Sequence, residues 1–261
     1  MIESFVYNFQ SFMMIFARIM GLFSLAPVYS SEAISFQIRV MLAFLLSLIL
    51  FPVTANYLHA VPPGMGEYAL IILSEALIGV LIGFIVSIIF AGFQMAGEFF
   101  SVQMGFGYTE VLDPVSQSSL PVISTLKNLM GILIFLTVGA HRTLLESIAF
   151  SFQKIQLLTF TKEVNIGVLK SFEYAVGAMF IVAFKISLPV LGILILVTIA
   201  EAIMGKAAPQ MNIMQLSFPA KIFVGLIVLI ITIPFIDKQM EASFTLTFDR
   251  LNTLMSEWPK R

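Results

Sequence analysis

Long apolar runs recur from one end of the chain to the other, broken by short polar or Pro/Gly-bearing stretches. Six can be separated: about Phe5–Leu25, ending before Pro27; Ile38–Phe51, stopping at Pro52; Tyr68–Met104; Val122–Ala140; Phe172–Met204, with a kink expected at Pro189; and Phe218–Phe235. Runs of this length and apolarity suit a lipid environment. There a helix is the one open-chain solution that satisfies every backbone N–H and C=O, so all six are expected to be α-helical. Strand-like alternation is absent, which argues against a β-barrel. The predicted fold class is all-α: a polytopic helical membrane protein of about six hydrophobic helices, forming one membrane unit over residues 1–236.

The end of the chain follows a different pattern. Met240, Phe244, Phe248, Leu251, Met255 and Trp258 recur at steps of three and four among Asp237, Glu241, Asp249, Arg250 and Glu257. This makes an amphipathic helical tail over 237–261, suited to a membrane interface or to a partner's surface. Residues 141–172 are also more polar, and read as a connector.

Composition sharpens the class. Of 261 residues, 59% are hydrophobic and 11% charged, against about 25% charged in ordinary soluble domains. Too few charges exist to cover a water-facing surface. A net charge of -1 argues against nucleic acid, which calls for a basic face. The absence of cysteine removes disulfides, thiolate metal sites and cysteine nucleophiles. Glu3 and Arg18 spoil a signal-peptide reading of the N-terminus, so the first segment is expected to remain in the mature protein.

Several segments carry charges that plain lipid would penalise. Arg18 lies inside the first, Glu75 and Glu98 inside the third, Lys185 and Glu201 inside the fifth, and Lys127 shortens the fourth. Each central charge costs roughly 2.5–3.5 kcal/mol on insertion scales. Such residues usually face protein or a water-filled path. Gly79, Gly83, Ser87 and Ala91, four residues apart, form a ridge of small side chains that lets another helix come close, within this chain or from another. Short spans, buried charges and this ridge together favour a subunit packed against many helices.

No catalytic, cofactor-binding or metal pattern emerges. His59 and His141 belong to no metal motif, and neither a nucleophile elbow nor a phosphate loop is present. Glu75 and Glu98 are candidate proton-relay carboxylates, or simply partners in interhelical hydrogen bonds. A second function class is an ion-coupled secondary transporter using Glu75, Glu98 and Lys185. The internal repeat that would favour a transporter is not found between the two halves.

Two blocks carry a specific resemblance. The first is Ala96-Gly97-Glu98-Phe99-Phe100-Ser101-Val102-Gln103-Met104-Gly105-Phe106, continuing through Asp113-Pro114-Val115-Ser116-Gln117 to Leu120-Pro121-Val122. The second is Ala208-Pro209-Gln210-Met211-Asn212-Ile213, followed by Leu216-Ser217-Phe218-Pro219-Ala220-Lys221. Together with Arg18, Gly21, Ala26-Pro27 and Pro52, they resemble the FliR/SctT family of type III secretion export-gate subunits over nearly the whole chain.

The resemblance implies a non-enzymatic subunit of a multi-subunit helical export gate in the flagellar basal body at the bacterial inner membrane. Its partners would be FliP-like and FliQ-like subunits and an FlhB-like switch protein, with unfolded flagellar proteins as cargo. The implied plug is the 105–121 loop, with Gly105, Phe106, Gly107, Tyr108, Val111, Leu112, Asp113 and Pro114. Residues 1–165 would be the FliP-like part and 166–236 a FliQ-like hairpin, its tip at Pro209, Gln210, Met211, Asn212 and Pro219. That tip would bring Lys206 and Lys221 to the cytoplasmic entrance. The distribution of Lys and Arg instead puts the C-terminus in the cytoplasm, opposite the tip; the two orientations stand opposed.

Overall fold

The computed structural model describes residues 2–31, 33–58, 62, 64–106, 122–155, 162–210, 212–256 and 258. Seven α-helices account for nearly all of them: α1 Ile2–Leu25, α2 Phe36–Thr54, α3 Met65–Met104, α4 Val122–Thr137, α5 Ala140–Lys154, α6 Lys162–Ala207 and α7 Ile213–Ser256. A short 3-10 turn, Ala55–Tyr57, extends α2. The described residues contain no strand. Among the described residues, five helices are long and apolar enough to cross a membrane, and α4 with α5 together are long and apolar enough for a broken span or a re-entrant loop. The polytopic all-helical class expected from the sequence is the one observed.

Several boundaries differ from the sequence reading. Helix α2 passes through Pro52 to Thr54, because a proline removes one N–H and frees one carbonyl without ending a helix held by its neighbours. Pro189, Pro219 and Pro234 are likewise internal. Residues 140–154, read as polar connector, form α5, which buries Leu144, Ser147, Ile148, Ser151 and Phe152 on one face. Helix α7 continues without a break into the expected tail, and Met240, Phe244, Phe248, Leu251 and Met255 are all buried within the chain. The apolar stripe is thus covered by this protein's own side chains.

The chain divides into two compact units. Unit 1 comprises residues 1–88, 139–176 and 245–261. In it, α1 packs on α2 through Phe12, whose ring lies 5.2 Å from that of Phe44. Only Ala43, Ser47 and Thr54 of α2 are buried. Glycine brings α1 and α3 close: a Cβ on Gly79 would collide with the Arg18 carbonyl, one on Gly83 would stand 2.7 Å from the Leu22 carbonyl oxygen, and one on Gly21 would strike the Ala76 carbonyl. Between α1 and α2, Val28 adopts φ 73°, a strained conformation for a β-branched residue. An open cleft enclosing about 570 Å³ of empty volume is lined by Ile78, Ile82, Phe172, Leu251, Trp258 and neighbours.

Unit 2 comprises residues 89–138 and 177–244. Its core is an aromatic cluster in which the ring of Phe244 lies 5.4–5.5 Å from those of Phe90, Phe93 and Phe135. Such rings bury large areas and gain further from edge-to-face geometry. Gly92 sits against Met179, Gly97 against Ser124 and Gly131 against Phe93. Here too glycine sets the approach of the helices.

Candidate functional site

Arg18 is 1% exposed and sits at the centre of unit 1. Its Nε donates to Glu75 Oε2 at 2.6 Å, Nη1 to Ser151 Oγ at 2.9 Å and Nη2 to the Ile155 carbonyl at 3.1 Å. Its guanidinium lies 4.0 Å from the centre of the Phe152 ring. Ser151 Oγ in turn donates to the Ile148 carbonyl at 2.7 Å. Arginine suits this role because its planar fork presents donors in fixed directions while its face stacks on an aromatic ring. The result ties α1, α3 and the end of α5 together. Glu75, 1% exposed, is engaged as an ion-pair acceptor.

The other sequence-identified charges do not join this cluster. Glu98 is half-buried and Lys185 exposed, both in unit 2. Among the described residues neither has an ion-pair partner. A transporter would need Glu75, Glu98 and Lys185 to act together, and Glu75 is already held by Arg18. Glu201 pairs with Lys221 at 3.3 Å, joining α6 to α7, while its Oε1 has no hydrogen-bond partner.

The two motif blocks meet in unit 2. Helix α3 ends in a paired cap: the Phe106 N–H bonds the Ser101 carbonyl at 2.9 Å and the Gly105 N–H bonds the Val102 carbonyl at 3.1 Å. This is the Schellman arrangement, which places its C′ residue in the left-handed region and so favours glycine there. Gly105 has φ 93°. A Cβ on it would stand 2.7 Å from the Phe218 ring of the second block. Immediately before it, Met104 is fully buried, and a Cβ on Gly225 of α7 would stand 2.8 Å from its side chain. The start of the expected plug is therefore clamped against α7. Gly107, Tyr108, Val111, Leu112, Asp113 and Pro114 lie outside the described residues.

At the hairpin tip, Pro209 and Gln210 form an exposed turn, and the Gln215 N–H reaches both the Asn212 carbonyl at 3.1 Å and its side-chain Oδ1 at 3.4 Å. Asn212 thus caps the start of α7. Pro219 is exposed one to two turns into the helix, and Met211 lies outside the described residues. Of the small-residue ridge, Gly79 and Gly83 meet α1, whereas Ser87 is half-buried and bonds its own helix at the Phe84 carbonyl, and Ala91 is exposed.

A further buried cation is one that the sequence marks only as shortening the fourth apolar run. Lys127 of α4 is completely buried with its Nζ unpartnered among the described residues, 5.4 Å from the centre of the Phe100 ring. The carboxylate of Asp237 on α7 attracts it without a hydrogen bond. Ser101, next to Phe100, and Ser124, three residues before Lys127, are buried with hydroxyls unpartnered among the described residues. The position of Lys127 inside the fourth apolar run was the available signal.

Comparison with known proteins agrees with the resemblance. The family model described as "Bacterial export proteins, family 1" matches residues 9–247. The chain is 33% identical over 261 residues to the flagellar biosynthetic protein FliR of Bacillus subtilis, covering 97% of this chain and 98% of the relative. It is 26% identical to that of Escherichia coli, over 93% of this chain and 91% of the relative, and 29% identical to that of Borreliella burgdorferi, over 92% and 89%. With helices, caps and both motif blocks falling inside the matched region, the chain belongs to the bacterial export proteins, family 1, alongside the FliR proteins of these bacteria.

Proposed function

We propose that the chain is a non-enzymatic, pore-forming subunit of the flagellar type III export gate, passing unfolded flagellar proteins across the inner membrane at the basal body. One observation carries the multi-subunit part of this reading. Helix α6 has a predominantly apolar stretch of 36 residues, Phe172–Ala207, with Glu173, Lys185, Glu201 and Lys206 as its only charges, about 54 Å of helix. A hydrocarbon core is about 30 Å thick. Fitting that stretch into lipid would need a tilt of about 56°, beyond the usual 0–40°. Exposed apolar side chains continue along it from Phe172 to Ile203. The excess has to be covered by protein. FliP-like and FliQ-like subunits and an FlhB-like switch protein are the partners this reading names, with residues 1–165 FliP-like and 166–236 FliQ-like.

The 105–121 loop is the plug in this reading. Its support is the clamp at its start: Gly105 pressed on Phe218 and Met104 on Gly225 fix where the loop leaves α3. In cells, removing the chain should abolish secretion of flagellar filament protein, and full secretion without it would sink the export role. Deleting residues 107–121 should raise ion leakage through the purified, reconstituted complex. Unchanged conductance would remove the plug while leaving the export role standing.

A further inference from the structure

The part of α6 that lies in unit 2 presents one face with no cover from the described residues of that unit. Gly177, Ile181, Lys185, Leu188, Gly192 and Ile199 are all exposed and recur at steps of three, four and seven, which places them on a single helical stripe. Two features of this stripe are out of place on a helix facing lipid. Lys185 has no acidic partner among the described residues. Gly177 and Gly192 have nothing within 4 Å of where a Cβ would stand, so no neighbour among the described residues explains them. A glycine inside a helix costs about 0.8–1.0 kcal/mol relative to alanine, and in membranes it gains that back where a second helix comes close.

Lipid headgroups do not account for the stripe. If the bilayer takes the run from Ile186 to Gly205, in which Glu201 is paired with Lys221, Lys185 and Phe184 can reach the headgroups, but exposed Phe180 and Ile181 stand about 7–9 Å of helix beyond it, with Gly177 farther out still. If the bilayer takes the residues around Lys185, a bare ammonium lies in hydrocarbon. Self-association fails as well, because a two-fold contact through this face would bring Lys185 towards its own copy.

We infer that the Gly177–Ile199 face of α6 seats an apolar helix of a different polypeptide, whose backbone approaches at the two glycines and whose Asp or Glu side chain meets Lys185. The inference rests on the multi-subunit reading above and adds the surface and the chemistry of one partner.

The absence of cysteine and the open space around these residues make the test direct. In cells, a photo-crosslinking phenylalanine analogue in place of Leu188 should give an adduct with a second, different polypeptide. The same analogue in place of exposed Phe223 on α7 serves as the comparison. Gly192→Leu should reduce the Leu188 adduct at least tenfold while the purified chain unfolds no earlier than the parent. Lys185→Glu should do the same, Lys185→Arg should preserve the adduct, and a lysine in place of the partner's carboxylate should rescue Lys185→Glu. Only lipid adducts, or an adduct of twice this chain's mass, at Leu188 would overturn the inference. So would a full adduct with Gly192→Leu and Lys185→Glu. If Phe223 captures protein while Leu188 does not, the inference falls alone; if neither does, the multi-subunit reading falls with it.

Discussion

Units 1 and 2 each bury a cation completely, and they treat it in opposite ways. In unit 1 the Arg18 guanidinium uses three nitrogens on Glu75, Ser151 and Ile155, with Phe152 beneath it. In unit 2 the Lys127 ammonium has the Phe100 ring and the attraction of Asp237, and no hydrogen bond among the described residues. A buried charge with matched partners locks a single arrangement of helices, while one without them carries its desolvation cost uncompensated. Unit 1 therefore holds a closed polar network. Unit 2 leaves Lys127 and Lys185 unpaired among the described residues, and it also contains the clamp where the motif blocks meet.

The largest expected effect breaks the unit 1 side of this contrast. Glu75→Ala leaves Arg18 buried without its counter-charge and should destabilise the chain by about 3–5 kcal/mol, read as loss of folded yield and early unfolding in detergent. Replacing both partners, Arg18→Met with Glu75→Leu, should recover much of that loss, because two apolar side chains of similar volume need no pairing. Equal damage from the single and double replacements would show that the network matters for more than its charge balance.

The opposite sign is expected in unit 2. Lys127→Met keeps the length of the side chain and removes an ammonium buried without a hydrogen bond. It should leave stability unchanged or raise it by about 1–3 kcal/mol, the cost of an unpaired buried polar group. Half-buried Asp237 loses only a distant attraction. A clear loss of stability on Lys127→Met would mean that Lys127 is as well satisfied as Arg18, and the two units would no longer differ.

The same contrast marks how much was legible beforehand. Apolar runs exposed six segments because a continuous run is a local property of the sequence. Helix α5 escaped that reading, because its buried Leu144, Ile148 and Phe152 alternate with polar residues; it is built for a protein neighbour on one side only. Arg18 and Glu75 were each visible as an intramembrane charge, but their pairing spans 57 positions, and nothing local encodes it. Gly79 and Gly83 were visible as a ridge, whereas Gly21, their counterpart on α1, gave no signal alone. The stripe from Met240 to Trp258 is visible in the sequence as one helical face, and α7 carries it as far as Met255. What covers it follows from α7 continuing without a break beyond Phe235, which three intervening charges, Asp237, Lys238 and Glu241, disguised.

The smallest effect separates burial from pairing. Lys221 and Glu201 form an ion pair of 3.3 Å in unit 2, but their side chains keep 18% and 10% of their exposure. Water reaches the pair, so its two charges are partly solvated with or without each other. A double-mutant cycle of Lys221→Met and Glu201→Gln, read by thermal unfolding of the purified chain, should give a coupling energy of about 1 kcal/mol or less. That value would place the pair well below the Arg18 network although both join helices. A coupling near 3 kcal/mol would instead make the α6–α7 contact a second closed network, and the difference between the units would reduce to Lys127 and Lys185.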